Sequence, residues 1–69
     1  MKKKKISCVL VGSVLSADGE KRYRLLDLGA CWQVCRDVHE SIGWRQVEIL
    51  AFDSADSAKE HFKIVTKDF

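Results

Sequence analysis

The sequence predicts a small two-layer α+β domain, in which a three-stranded sheet carries two helices on one face. Three features support this prediction. Residues 6–15 are rich in apolar and β-branched side chains, residues 28–42 repeat apolar side chains at helical spacing, and a second helical pattern follows residue 54. These patterns give the element order β-β-α-β-α. Both helices are expected to cover the same face of the sheet, because an apolar sheet face needs a second layer to bury it.

The first two strands are expected to form a hairpin. Residues 6–15 are apolar on both faces, as in a strand that is covered on both sides. Asp18-Gly19 follows, and Asp-Gly between two extended segments is a strong signal for a tight turn. Residues 21–27 then alternate, with Tyr23 and Leu25 on one face and the arginines on the other.

The segment 28–42 decides between two architectures. As a helix, it gathers its apolar residues into one stripe, formed by Leu28, Cys31, Val34, Cys35, Val38 and Ile42. As a strand, it would mix cysteine with glutamine and aspartate on one face. Asp27 as an N-cap and Gly43 as the residue that ends the helix favour the helical interpretation. The alternative is a four-stranded antiparallel meander followed by one C-terminal helix.

A third strand and a second helix complete the expected fold. Residues 44–52 alternate strictly, which places Gln46 and Glu48 on the same face. Asp53 or Ser54 is then expected to cap a helix. Its apolar side chains recur at spacings of three and four, at Ala55, Ala58, Phe62, Val65 and Phe69.

The charge distribution divides the chain into a basic N-terminal arm, residues 1–5, and a single α+β domain, residues 6–69. The formal net charge is +2, but the arm contributes four of the twelve basic residues, Lys2, Lys3, Lys4 and Lys5. Without them, eight basic residues remain against ten acidic ones, a net charge of −2. A domain that binds nucleic acid is usually basic across a whole face, whereas here the positive charge is local.

The three cysteines favour a reducing, cytoplasmic setting, because an odd number cannot close a complete framework of disulfides. No segment approaches the roughly eighteen consecutive apolar residues that a membrane-spanning helix needs. We therefore expect no membrane partner.

One spacing resembles a set of metal ligands, Cys31-x₃-Cys35-x₃-His39, whose side chains would lie one turn apart on a helix. The set has no evident fourth ligand, and a cysteine on an apolar stripe is usually a small buried hydrophobe. We therefore expect no metal and no cofactor, with a metal at these three residues kept as an alternative.

Enzymatic activity is not expected either. Cys35 with His39 as its base would need a third group to orient the histidine, and none is evident. A chain of 69 residues also has little room for a substrate pocket. The sequence therefore provides no candidate catalytic residues.

The best candidates for binding are aromatic and basic residues off the apolar stripe, because tryptophan and arginine are enriched at interaction hot spots. This predicted partner-binding set consists of Trp32, Arg36, His39, Trp44 and Arg45. The expected function is a small non-catalytic regulator or inhibitor that binds another macromolecule, of the kind that phages and mobile elements encode. A homodimer, formed through an uncovered sheet face or the edge of the first strand, is as strong an expectation as a monomer.

The alternative function is nucleic-acid binding. The lysine arm could contact phosphates, and a second basic group further along the chain could extend that surface. The residues of this alternative are Lys2, Lys3, Lys4, Lys5, Lys21, Arg22 and Arg24. No aromatic-rich strand for stacking bases accompanies them.

Overall fold

In the computed structural model, which describes residues 8–69, a four-stranded antiparallel sheet is followed by one helix. The elements are β1 (Val9–Leu15), β2 (Lys21–Asp27), β3 (Trp32–Glu40), β4 (Gly43–Phe52) and α1 (Ala55–Thr66). The strands lie in the order β1-β2-β3-β4, so each pairs with its neighbour in sequence. The prediction of three strands and two helices is therefore wrong, and the alternative meander with a C-terminal helix is confirmed. Ile6 and Ser7 of the predicted first strand and the basic arm lie outside the described residues.

The error lies in residues 28–42, most of which form β3 instead of a helix. Cys35 and Asp37 do share a face, and Asp37 is only 1% exposed. Its charge is compensated by Arg22 and Arg24 on the neighbouring strand. The polar face that argued against a strand is thus stabilised by partners that are distant in sequence. Ile42, the last residue of the predicted stripe, lies in the turn before β4 and is almost fully exposed.

The two residues that favoured the helix serve turns. Asp27 accepts a hydrogen bond at its Oδ1 atom from the backbone N–H of Gly29 (2.9 Å), in the connection from β2 to β3. Gly43 has a φ of +127° and pairs with Glu40 across the β3–β4 turn. Because aspartate and glycine are favoured in turns as well as at helix ends, they did not discriminate between the two architectures.

The β1–β2 hairpin was predicted correctly. Gly19 has a φ of +75°, which favours glycine, in the turn between the two strands. The Asp18 carboxylate accepts hydrogen bonds from the Ser16 hydroxyl (2.6 Å) and from the backbone N–H of Glu20 (2.9 Å). These bonds fix the turn that the Asp-Gly pair predicted.

The C-terminal helix was also predicted correctly. Ser54 is its N-cap, and the Ser54 hydroxyl accepts a hydrogen bond from the backbone N–H of Ser57 (3.2 Å). Asp56 lies in the first turn, where a carboxylate interacts favourably with the helix dipole. The aromatic ring of Phe69, beyond the helix, packs against Tyr23 with 5.0 Å between ring centroids.

The core lies between α1 and one face of the sheet, which we call the helix face. Leu25, Val34 and Ala58 are buried at its centre. Four partly buried aromatic residues surround them, Tyr23, Trp32, Phe52 and Phe62. The ring of Phe62 lies directly over Gly12, at a distance that would leave an added Cβ only 3.3 Å from the ring. The helix thus lies mainly over β2, β3 and β4 and reaches β1 through this contact.

The other side of the sheet, which we call the open face, has no helix over it in the part of the chain that the structure describes. The strand registers arrange its side chains in rows. One row is Leu15, Arg22, Asp37 and Gln46. The next is Ser13, Arg24, Cys35 and Ile49. A third is Leu10, Leu26, Gln33 and Ala51, and the pair His39–Trp44 lies beyond the first row.

A β-bulge in β4 determines which polar residues reach the open face. The register shifts so that Asp37 pairs with Gln46 and Arg36 pairs with Glu48, which leaves Val47 without a partner. Strict alternation would have put Gln46 and Glu48 on one face. The extra residue separates them, so Gln46 lies on the open face and Glu48 on the helix face.

Candidate interaction surface

A hydrogen-bonded cluster of charges occupies the centre of the open face. Arg24 donates from its Nε atom to Asp37 Oδ2 (2.7 Å) and from an Nη atom to Asp37 Oδ1 (3.0 Å). Arg22 donates from its Nε atom to the same Oδ2 atom (2.9 Å). The same Nη atom of Arg24 also donates to the Gln46 side-chain carbonyl (3.0 Å). Two guanidinium groups are thus held in fixed positions by one carboxylate.

The electrostatics of this cluster leave it with one excess positive charge. Burial acts to raise the pKa of Asp37, but the hydrogen bonds from Arg24 and Arg22 outweigh burial and hold that pKa below its usual value. The hydrogen bond to Asp37 raises the pKa of Arg24. Asp37 is therefore ionised at neutral pH, and because arginine side chains are not deprotonated in proteins, the cluster presents a net charge of +1.

Two aromatic side chains lie next to the charged cluster. The rings of His39 and Trp44 meet edge to face, with 5.0 Å between their centroids. The guanidinium of Arg22 lies 4.3 Å from the centroid of the Trp44 ring, within the range of a cation–π interaction. The aromatic pair is thereby connected to the Asp37 cluster, although His39 and Trp44 are both exposed to solvent.

Apolar side chains flank the cluster on both sides. Leu10 and Leu15 project from β1, and Ile49 projects from β4. Each of the three is about half exposed, in contrast to Leu26 and Cys35 between them, which are buried. Exposed apolar area beside a fixed polar centre is the composition of many protein-binding surfaces.

The structure divides the predicted partner-binding set between the two sides of the sheet. His39 and Trp44 lie together on the open face. Trp32 instead packs against the core beside α1, with the Lys59 ammonium 5.5 Å from its ring centroid. Arg36 and Arg45 occupy helix-face positions, where Arg36 pairs with Glu48 (3.4 Å) and Arg45 with Glu40 (2.6 Å). The set therefore does not form one surface, because the alternation of side chains along β3 places Trp32 and His39 on opposite faces of the sheet.

Sequence reasoning missed several residues of the open face. Asp37, Gln46 and Ile49 were not selected, since each looks ordinary on its own strand. A signal that could have identified Asp37 is charge complementarity between neighbouring strands. β2 carries two arginines two residues apart, and β3 carries an aspartate that could pair with them.

Among residues 8–69, the basic residues of the nucleic-acid alternative do not form a free cationic patch. Arg22 and Arg24 are both hydrogen-bonded to Asp37 on the open face. Lys21, which is the strand partner of Val38, lies on the helix face. Lys2, Lys3, Lys4 and Lys5 lie outside the described residues.

The strand conformation of β3 also affects the two hypotheses for the cysteines, a metal site and a reactive thiol. Because β3 is a strand, Cys35 and His39 are separated by about 13 Å along it rather than by one helical turn. Burial raises the pKa of the Cys35 thiol, which disfavours the reactive thiolate. Within residues 8–69, no group of three or more histidine, cysteine, aspartate or glutamate side chains could hold a metal ion.

No protein-family model, curated protein or solved structure matches the chain. In the described part of the chain, no helix has the length and apolarity to cross a membrane.

Proposed function

We propose that this protein is a small non-catalytic module that binds another protein through its open face and thereby modulates it, as a regulator or inhibitor. The observation that carries this proposal is the contact of Arg22 with both Asp37 and Trp44. An arginine and a tryptophan held in place beside exposed apolar residues resemble the centre of an interaction hot spot.

The fixed geometry of the cluster favours binding. Arginine side chains normally lose conformational freedom when they bind a partner, and this loss weakens binding. Here Arg22 and Arg24 are already held by Asp37, so most of that loss occurs during folding. The net positive charge suits a partner surface that combines a carboxylate with apolar side chains.

Nucleic-acid binding ranks second. A single excess positive charge on the open face provides little of the phosphate neutralisation that supports such binding. The lysine arm could still contribute, and salt dependence distinguishes the two functions. We place the protein in the cytoplasm, a proposal supported by the three free thiols of Cys8, Cys31 and Cys35.

The experiment is affinity capture from the source cells, with and without nuclease, of wild-type protein and two variants. Trp44→Ala removes the aromatic residue of the open face, whereas Ile64→Ala removes a comparably exposed apolar side chain from α1. We expect a nuclease-resistant protein that binds the wild type and the Ile64 variant but not the Trp44 variant. A ligand that disappears with nuclease, or that the Trp44 variant retains, would contradict the proposal.

A further inference from the structure

In the part of the chain that the structure describes, exposed apolar side chains are concentrated on the first strand. Among residues 8–69, five apolar residues are buried, whereas nine large apolar side chains are exposed. Four of those nine belong to β1: Val9, Leu10, Val11 and Leu15, with exposures of 56%, 56%, 45% and 55%. A domain of this size often needs a second chain to bury enough apolar surface.

The two edges of the sheet differ in how they are protected against pairing. β1, with the sequence VLVGSVL, contains no charged residue. β4, at the other edge, carries Arg45 and Glu48 and is interrupted by the bulge at Val47. Charges and bulges prevent edge strands from pairing with other chains, whereas a long uncharged apolar edge promotes such pairing. β1 has a bulge at Val11 but no charged residue, so it is less protected than β4 against pairing with another chain.

We infer that two copies of this protein pair through β1, antiparallel and across a two-fold axis, to form one continuous sheet. The sheet would double from the four strands of one copy to eight. A second copy fits this edge because antiparallel pairing across a two-fold axis places each strand against an identical one. Uncharged strands can meet in this way without like-charge repulsion.

The symmetry determines how the two copies are oriented. A two-fold axis that relates antiparallel strands within one sheet is perpendicular to that sheet. Both helices therefore lie on one side of the dimer, and both open faces lie on the other. When the axis passes through the middle of β1, the exposed Leu10 of each copy lies opposite Leu15 of the other, which buries apolar area that the monomer leaves in water. The dimer thus presents two binding surfaces side by side.

The experiment is sedimentation velocity over a concentration series from micromolar to millimolar, with two matched variants. Leu15→Glu and Ile49→Glu each replace a half-exposed apolar residue of the open face, one on β1 and one on the opposite edge strand. We expect the wild type to dimerise and Leu15→Glu to weaken dimerisation by about tenfold or more, because each new carboxylate would lose water against the apolar Leu10 of the other copy. Ile49→Glu should leave the dimer unchanged.

Backbone hydrogen exchange of the wild type provides a second readout that needs no variant. Edge pairing protects the β1 amides that point away from β2, so their exchange should become slower as the protein concentration rises, while β4 amides stay constant. A protein that is monomeric at every concentration would overturn the inference. So would a dimer that Ile49→Glu disrupts, or one without concentration-dependent protection in β1. The inference does not rest on the proposed function, because Trp44→Ala is expected to leave dimerisation unchanged.

Discussion

Arg24 and Asp37 form a bidentate ion pair across two neighbouring strands, in which both carboxylate oxygens accept a hydrogen bond. Asp37 is almost completely buried, while about a quarter of the Arg24 side chain is exposed. A carboxylate in such a position is stable only while its partners remain. The pair therefore links the packing of the open face to the stability of the whole sheet.

Replacing Asp37 with alanine should lower the free energy of unfolding by about 3 kcal/mol, because two partly buried guanidinium groups would lose their common partner. Urea denaturation of both proteins measures this difference. Glu48→Ala is the control, since it breaks the more exposed pair with Arg36 and should cost less than about 1 kcal/mol. Equal losses in the two variants would show that the burial of Asp37 does not control the stability of the pair.

Acidification should destabilise the protein through the same carboxylate. The hydrogen bonds from both arginines hold the pKa of Asp37 below its value in the unfolded chain, despite the opposing effect of burial. Its contribution to stability is thus present above about pH 4 and is lost as the pH falls through the lower pKa of the folded state. The stability difference between the wild type and Asp37→Asn should therefore be constant above about pH 5 and shrink from there to about pH 2. A difference that stays constant between about pH 5 and pH 2 would contradict the prediction.

Local patterns were sufficient to predict the two ends of the fold. The Asp18-Gly19 turn and the helix that begins after Ser54 depend on hydrogen bonds within a few residues, so the sequence contains nearly all the information. β3 could not be predicted in this way. Its helical stripe is a real periodicity of the sequence, but Asp37 is stabilised by arginines thirteen and fifteen residues away.

The candidate surface was only partly predictable for the same reason. His39 and Trp44 were selected from the sequence, but their contact depends on the pairing of β3 with β4. The bulge at Val47 then decides that Gln46 faces Asp37, and no feature of the sequence alone locates it. The prediction that Trp32 belongs to a binding surface depends on the side-chain direction that a helix would give it. Residue 32 lies in β3 instead, where its side chain packs against the core.

The two tryptophans should therefore behave differently. Trp32 packs against the core beside α1, so Trp32→Ala should lower the free energy of unfolding by about 2 to 3 kcal/mol. Trp44 is more exposed and lies at the edge of the sheet, so Trp44→Ala should cost less than about 1 kcal/mol. Thermal or urea denaturation of each variant gives these values. A larger loss for Trp44→Ala than for Trp32→Ala would contradict the assignment of Trp32 to the core.

The close approach of Phe62 to Gly12 predicts that even small side chains at residue 12 will be destabilising. An added Cβ would lie 3.3 Å from the Phe62 ring, which is tighter than an ordinary contact. Gly12→Val places further atoms in the same space, so we expect a loss of about 1 to 3 kcal/mol in the free energy of unfolding.

A double-mutant cycle tests whether this loss comes from Phe62 or from the backbone of residue 12. Gly12 does not have a positive φ, so a side chain causes no strain there apart from its contacts. In a Phe62→Leu background, which leaves more room above β1, the cost of Gly12→Val should therefore fall by about 1 kcal/mol. An unchanged cost would show that the ring of Phe62 is not what excludes a side chain at this position. Because α1 reaches β1 through this contact, the coupling measures how firmly the helix holds the strand that we propose as the dimer edge.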